Sequence, residues 1–244
     1  MLSGSCYLPH PKKVATGGED AHFICADEQV IGVADGVGGW AKRGVNAGVF
    51  ARELVSNLVR AIKKSVNSEG SFNPLNVLKK AHSKTMAKGS STVCIIALND
   101  EALNAINLGD SGFIVIRDGN VIFKSPVQQH SFNYPYQLGS DKNCDLPSSG
   151  EVFTVHVEPG DVVVAGTDGL FDNLYTDDIA ALVVCAIIDR LEPQVTAQMI
   201  AALAQQQALN KNWLSPFSAA AREVGHHYRG GKRDDITVVV SYIL

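Results

Sequence analysis

Two periods run through the hydrophobic positions of this chain. Phe50, Leu54, Leu58 and Ile62 recur every fourth residue, as one buried helix face requires, and Asn46 is placed to cap it. A helix is therefore predicted over 46–66. A second is predicted over 74–86, with Pro74 in its first turn. Strand patterns occupy 29–34, 92–98, 102–108, 113–117, 121–124, 152–157, 161–166 and 236–243. Asp118-Gly119-Asn120 reads as a hairpin turn and Pro159-Gly160 as another. Helical patterns return at 176–190, 195–209 and 216–224.

Segment 125–150 has no sustained period and is rich in Gln, His, Asn, Pro, Ser and Tyr. It reads as a surface loop or small lobe of the kind that covers a site. Short strands joined by tight turns favour antiparallel sheet. Partial segregation of helices from strands favours α+β layers over a parallel doubly wound sheet. No G-x-G-x-x-G follows a strand, so a dinucleotide fold fits poorly.

Composition narrows this further. With 45% hydrophobic and 19% charged residues, the chain is globular rather than disordered, and 244 residues suit a single domain over 1–244. Lys and Arg number 21 against 25 Asp and Glu, a net charge of −4. That balance argues against nucleic acid as a partner, because phosphate contacts need clustered cations. The longest apolar run, 179–188, is too short for a bilayer, which takes about 20 residues, and reads as a buried helix. No membrane insertion is expected. Residues 1–13 carry no cationic region leading into an apolar core, so a targeting leader would have to lie outside this sequence. The five cysteines are odd in number and lack C-x-x-C spacing. Cys25, Cys94 and Cys185, in apolar surroundings, read as buried thiols rather than as disulfide or zinc partners.

The chemistry lies in where the acids fall. Asp35-Gly36 ends one strand, Asp168-Gly169 follows another, and Asp234-Asp235 precedes the last. Glu19-Asp20 and Gly109-Asp110 add two more islands. Any one Asp-Gly is a turn, and Asp118-Gly119 is kept as one. As a set, ionised carboxylates at buried strand ends are costly unless they are paired or bind metal. An all-oxygen set suits Mg²⁺ or Mn²⁺ better than Zn²⁺. No EF-hand loop is present, which argues against a Ca²⁺ protein.

These islands, in order, resemble the metal-dependent type 2C serine/threonine protein phosphatases, the PPM family. The matching motifs are Glu19-Asp20-Ala21, Asp35-Gly36-Val37-Gly38-Gly39, Gly89-Ser90-Ser91-Thr92, Gly109-Asp110-Ser111, Thr167–Asp172 and Asp234-Asp235-Ile236-Thr237. GVADGVGGW, SPF at 215–217 and RGGKRDDITV resemble a short branch of the family associated with mitochondria and plastids. The resemblance implies a four-layer α/β/β/α sandwich of two antiparallel sheets flanked by helices. It implies hydrolysis of phosphoserine and phosphothreonine by an activated water, without a covalent intermediate.

The implied catalytic residues are Asp35, Asp168 and Asp234. Asp35 would bridge two Mn²⁺ or Mg²⁺ ions, the Gly36 carbonyl would bind one, and Asp168 and Asp234 the other. Glu19 and Asp20 would act partly through water, and Asp110 with Asp168 would take a third, weaker ion. The implied partner is a phosphoprotein substrate, the implied state a monomer, and the location mitochondrion or chloroplast, with cytoplasm as the alternative.

Two positions depart from the pattern. Ala15 stands where many members place a phosphate-gripping Arg, and Lys13 is the first candidate substitute, with His10 and Lys12 as the alternatives. Val37 stands where many place His. A catalytically weak regulatory or binding member of the same fold is therefore the second reading. Segment 125–150 corresponds to the family's flap, where Phe132, Tyr134 and Tyr136 either meet substrate or anchor the lobe. His22 is read as a strand residue, and His130 and His226-His227 as surface or loop residues.

Overall fold

A computed structural model describes residues 1–66 and 72–244. The chain opens with β1 (Leu2–Leu8), β2 (Asp20–Cys25) and β3 (Val30–Asp35), then α1 (Ala47–Val66) and α2 (Pro74–His82). Strands β4 (Ser90–Ser91), β5 (Val93–Asn99), β6 (Ala102–Leu108), β7 (Gly112–Arg117) and β8 (Asn120–Lys124) follow. Short strands β9 (Gln129–Ser131), β10 (Tyr134–Pro135) and β11 (Leu138–Gly139) lead to β12 (Glu151–His156) and β13 (Val162–Gly166). Helices α3 (Asp168–Phe171), α4 (Thr176–Ile188), α5 (Pro193–Leu209) and α6 (Pro216–Glu223) precede β14 (Ile236–Tyr242).

Two five-stranded sheets result, ordered β1-β14-β13-β7-β8 and β12-β6-β5-β3-β2. All their pairings are antiparallel. The period of two sorts side chains between layers. Ile31 and Val33 of β3 pack between the sheets with Phe113, Val115, Val163 and Val239. Val30 and Ala34 face outward onto Phe50, Leu54, Leu58 and Ile62 of α1. On the other sheet Ile114, Val164, Val238 and Val240 face outward onto Ile179, Val183 and Ile200 of α4 and α5. The layers are therefore α/β/β/α, the class expected from the motifs.

Four local differences have physical causes. Strand β1 carries Ser3, Gly4 and Ser5 and shows little hydrophobic alternation, yet it pairs along its whole length with β14, from Leu2 opposite Tyr242 to Leu8 opposite Ile236. Its small residues serve packing: a Cβ on Gly4 would collide with the backbone at Pro193 and Gln194, where α5 begins. Helix α2 stops at His82, short of 86, because the chain tightens into single turns from Lys84 to Ala81 and from Thr85 to His82. The Glu53 carboxylate then accepts from the Met86 and Ala87 amides at 3.2 and 2.7 Å.

Helix α4 buries only one face. Ile179, Ala180, Val183 and Ala186 are covered, while Cys185, Ile187 and Ile188 are exposed, correcting the expectation of a buried Cys185. Finally, 125–150 holds two small pairings, β9 with β10 and β11 with β4. Phe132 packs on Phe217, and Tyr136 stacks on His130 at 4.2 Å between centroids, so both anchor the lobe. Tyr134 is 53% exposed.

Candidate metal centre

Strand pairing brings the acidic islands to one end of the sandwich. In the β2–β3 ladder Asp20 lies opposite Asp35. Asp168 opens α3 directly after β13, Asp234 precedes β14, and Asp110 lies in the link from β6 to β7. Glu19, Asp35, Gly36, Asp110, Asp168 and Asp234 line one cavity of about 240 Å³, with Lys13 and Lys232 also in its wall.

Neighbouring acids in extended chain point opposite ways. Glu19 lines the cavity while Asp20 turns between the sheets, where its Oδ2 accepts from Thr167 Oγ1 at 2.8 Å and Thr237 Oγ1 at 2.7 Å. Asp234 lines the cavity while Asp235 turns back. Asp235 Oδ1 accepts from Tyr7 Oη at 2.9 Å and the His10 amide at 3.0 Å. The backbone at Gly36 is pressed close: a Cβ there would lie 2.7 Å from the Glu19 carbonyl oxygen and 2.8 Å from the Ala47 carbonyl. Its amide donates to Glu19 O at 3.0 Å, so the two acidic loops are tied together.

The field is strongly negative. Burial, with Asp20, Asp168 and Asp234 alongside, drives the Asp35 carboxyl well above the usual range. Burial does the same to Asp20, opposed by its two threonine donors. Burial and the charge of Asp168 lift Asp110 to about 7 and Asp234 to about 6. Burial also raises Asp168, but the ammonium of Lys232, a hydrogen bond with Asp35 and the charge of Lys13 together more than offset it and leave that carboxyl low. Three buried carboxylate oxygens, Asp20 Oδ1, Asp110 Oδ1 and Asp168 Oδ1, have no hydrogen-bond partner among the described residues.

Lys13 reaches this cluster as a cation. Its Nζ contacts Glu19 and lies 3.2 Å from Asp235 Oδ2 and 3.7 Å from Asp234 Oδ1. Lys232 was not anticipated. Its Nζ lies 2.5 Å from Asp168 Oδ2, 2.7 Å from Asp172 Oδ2 and 3.6 Å from Asp234 Oδ2. No linear signal marked it: Lys232 sits in the basic run RGGKR ahead of Asp234, outside any helix or strand.

Among the described residues no three His, Cys, Asp or Glu side chains are already drawn into a metal cage. Two ammonium groups stand between the carboxylates instead. The donor set nonetheless fits divalent cations, being all oxygen, short of counter-charge and left with orphaned oxygens. His22 lies apart, its Nε2 3.0 Å from Ser5 Oγ. His130 Nε2 lies 3.0 Å from Asp145 in the lobe, and His226 stacks on Phe132 there.

Comparison with known proteins agrees with this arrangement. The family model described as stage II sporulation protein E (SpoIIE) matches residues 26–243. "Probable protein phosphatase 2C 55" of Arabidopsis thaliana is 64% identical over 243 residues, which is 100% of this chain and 52% of the relative. The X-ray structure of the photosystem II phosphatase PBCP superposes with a TM-score of 0.91 at 36% identity, covering 99% of this chain and 98% of that one. The catalytic domain of the serine/threonine phosphatase PstP, solved with two manganese ions, shares the fold at a TM-score of 0.65 and 15% identity, covering 98% and 96%. The chain belongs to the type 2C protein phosphatase family. It spans about half the length of the Arabidopsis thaliana relatives at 64% and 62% identity.

Proposed function

We propose that residues 1–244 form one catalytic domain, with 125–150 as a flap, that removes phosphate from phosphoserine and phosphothreonine in proteins. The observation that carries this reading is the acidic cavity, two of whose lining carboxylates, Asp110 and Asp168, each keep an orphaned oxygen. Asp35 and the Gly36 carbonyl would hold one Mn²⁺ or Mg²⁺ ion. Asp35, Asp168 and Asp234 would hold a second, with Glu19 and Asp20 acting through water. Such ions, when bound, supply an acidified water as nucleophile and positive charge for the phosphoryl oxygens. The manganese pair of PstP, a protein of the same fold, supports this choice of ion.

The chain's own residues set the remaining chemistry. Asp35, Asp168 and Asp234 bring negative charge to one small volume, where cations are held and oriented. Lys13, its side chain 30% exposed, offers the incoming phosphate a point charge in place of the forked grip of an arginine. No histidine lines the cavity among the described residues, so the leaving alkoxide would take its proton from water or from another group of the lining. Among the described residues no helix is long and apolar enough to cross a membrane. PBCP is named for photosystem II, which favours a plastid over a mitochondrion or the cytoplasm.

The test is phosphate release from phosphoserine and phosphothreonine peptides with and without Mn²⁺. Metal-dependent release is expected, and a chelator abolishes it. Release from none of several peptides at saturating Mn²⁺ would overturn the enzyme reading in favour of a binding member of the fold.

A further inference from the structure

Lys232 is built into the cavity wall. Its amide donates to Asn173 Oδ1 at 2.9 Å, and its carbonyl accepts from Asn173 Nδ2 at 2.8 Å. Asn173 is fully buried and also donates to Gly169 O at 2.9 Å. The root of the lysine is thus pinned to the segment that carries Asp168 and Asp172. Just before it, Gly230 holds φ +87°, and its carbonyl accepts from the buried Ser215 Oγ at 2.7 Å. The stem then runs to an ammonium 2.5 Å from Asp168, 2.7 Å from Asp172 and 5.0 Å from the centroid of the Phe217 ring. The side chain is 14% exposed.

The carboxylates around it are divided in their use. Asp168 gives Oδ2 to the lysine and leaves Oδ1 unpartnered. Asp110 gives Oδ2 to Gln129 Nε2 at 3.1 Å and also leaves Oδ1 unpartnered. Asp110 and Asp168 are the pair expected to take a third, weaker divalent ion. A fixed ammonium on one of those two carboxylates repels a divalent ion placed beside it, and the low local polarity strengthens the repulsion.

We propose that the Lys232 ammonium is a permanent internal cation that takes the place of the third ion, so that this centre binds two divalent metals rather than three. The inference rests on the phosphatase reading only in assuming that the other carboxylates bind metal. Asp172 acts here as the lysine's counter-ion, which explains why a carboxylate stands there. Lysine fits the task because its ammonium is a compact point charge on a long stem.

The experiment counts Mn²⁺ bound per chain by equilibrium dialysis and by the spin-resonance signal of free Mn²⁺, up to millimolar concentration. It compares wild type with Lys232→Met, Lys232→Gln and Lys232→Arg, each checked for fold by circular dichroism. Wild type is expected to bind two ions and Lys232→Arg two. Lys232→Met and Lys232→Gln are expected to bind a third at least tenfold more tightly than any third site in wild type, and adding Asp110→Asn should remove it. Three ions on wild type would overturn the proposal without any variant. Two ions with unchanged affinity on a folded Lys232→Met or Lys232→Gln would overturn it equally. No Mn²⁺ on wild type would instead strike at the metal-centre reading itself.

Discussion

Asp20 is where the two sheets share one buried charge, and Thr237→Val tests how that charge is held. The carboxylate leaves β2 of one sheet and takes its two donors from the other, Thr237 Oγ1 on β14 at 2.7 Å and Thr167 Oγ1 after β13 at 2.8 Å. Asp20 is 2% exposed and both threonines are fully buried, so water does not replace a lost donor. Valine keeps the β-branched shape and the backbone ladder, in which the Thr237 amide still donates to Thr167 Oγ1. Once the pH is high enough to ionise this carboxyl against its raised value, the loss is one hydrogen bond to a charged group, about 1.5–3 kcal/mol. For a chain of this size that corresponds to a fall in Tm of about 3–12 °C. Urea and thermal unfolding of the metal-free protein, repeated at rising pH as the Asp20 carboxyl ionises, read it directly. The Thr167→Val variant and the double variant complete a cycle whose coupling is expected to be non-zero, because both hydroxyls serve one oxygen. A Thr237→Val protein within about 0.5 kcal/mol of wild type would refute the idea that these hydroxyls hold the charge.

Other outcomes follow from the same geometry. Asp20→Asn keeps an acceptor for both threonines while removing a buried charge, so without metal it should be at least as stable as wild type. Its stabilisation by Mn²⁺ in thermal unfolding should be smaller. Gly36→Ala forces a Cβ against the Glu19 and Ala47 carbonyls and should cost about 1–3 kcal/mol in urea unfolding, with weaker Mn²⁺ binding. Asp161 is fully buried but its carboxyl is held below its usual range. Burial raises it, while the Arg117 fork at 2.8 and 2.7 Å and the Glu158 amide at 2.9 Å more than offset that. A lowered folded-state value means stability that is present above the unfolded carboxyl's value and lost as pH falls through the folded one. Asp161→Asn should therefore be less stable at neutral pH and show a shallower acid limb in urea midpoints measured across pH.

The sheets were legible because β-branched runs alternate cleanly. Ile31 and Val33 face one way and Val30 and Ala34 the other, and the Asp118-Gly119 turn adopts positive φ at both residues, as a tight hairpin requires. Strand β1 was not legible, because Gly4 and its flanking serines are selected for the close approach of α5 rather than for burial of large side chains. Exposure on α4 was hidden for a related reason. An unbroken apolar run from 179 to 188 carries no period, so its solvent face at Cys185, Ile187 and Ile188 could not be told from its core face.

At the acidic cavity, residue type and order pointed to the carboxylates that line it, since acids at the ends of buried strands must meet at one sheet edge. The two lysines differ in this respect. Lys13 drew notice only through the gap at Ala15. Lys232 lies in a basic run, RGGKR, that reads as a solvated loop until Asn173 is seen to clamp its backbone. Side-chain direction in such a loop comes from tertiary hydrogen bonds that linear spacing does not encode.

The most direct test of the whole account is phosphate release from a phosphothreonine peptide across a Mn²⁺ titration, comparing wild type with Asp168→Asn. Asp168 stands at the meeting point of the cavity, beside Asp35, Asp234 and Lys232, so its charge is central to any ion held there. Release that climbs with Mn²⁺ in wild type and falls by at least a hundredfold in Asp168→Asn, with Mn²⁺ binding weakened in parallel, is the predicted result. Release that is indifferent to Mn²⁺, or an Asp168→Asn protein as active as wild type, would contradict it.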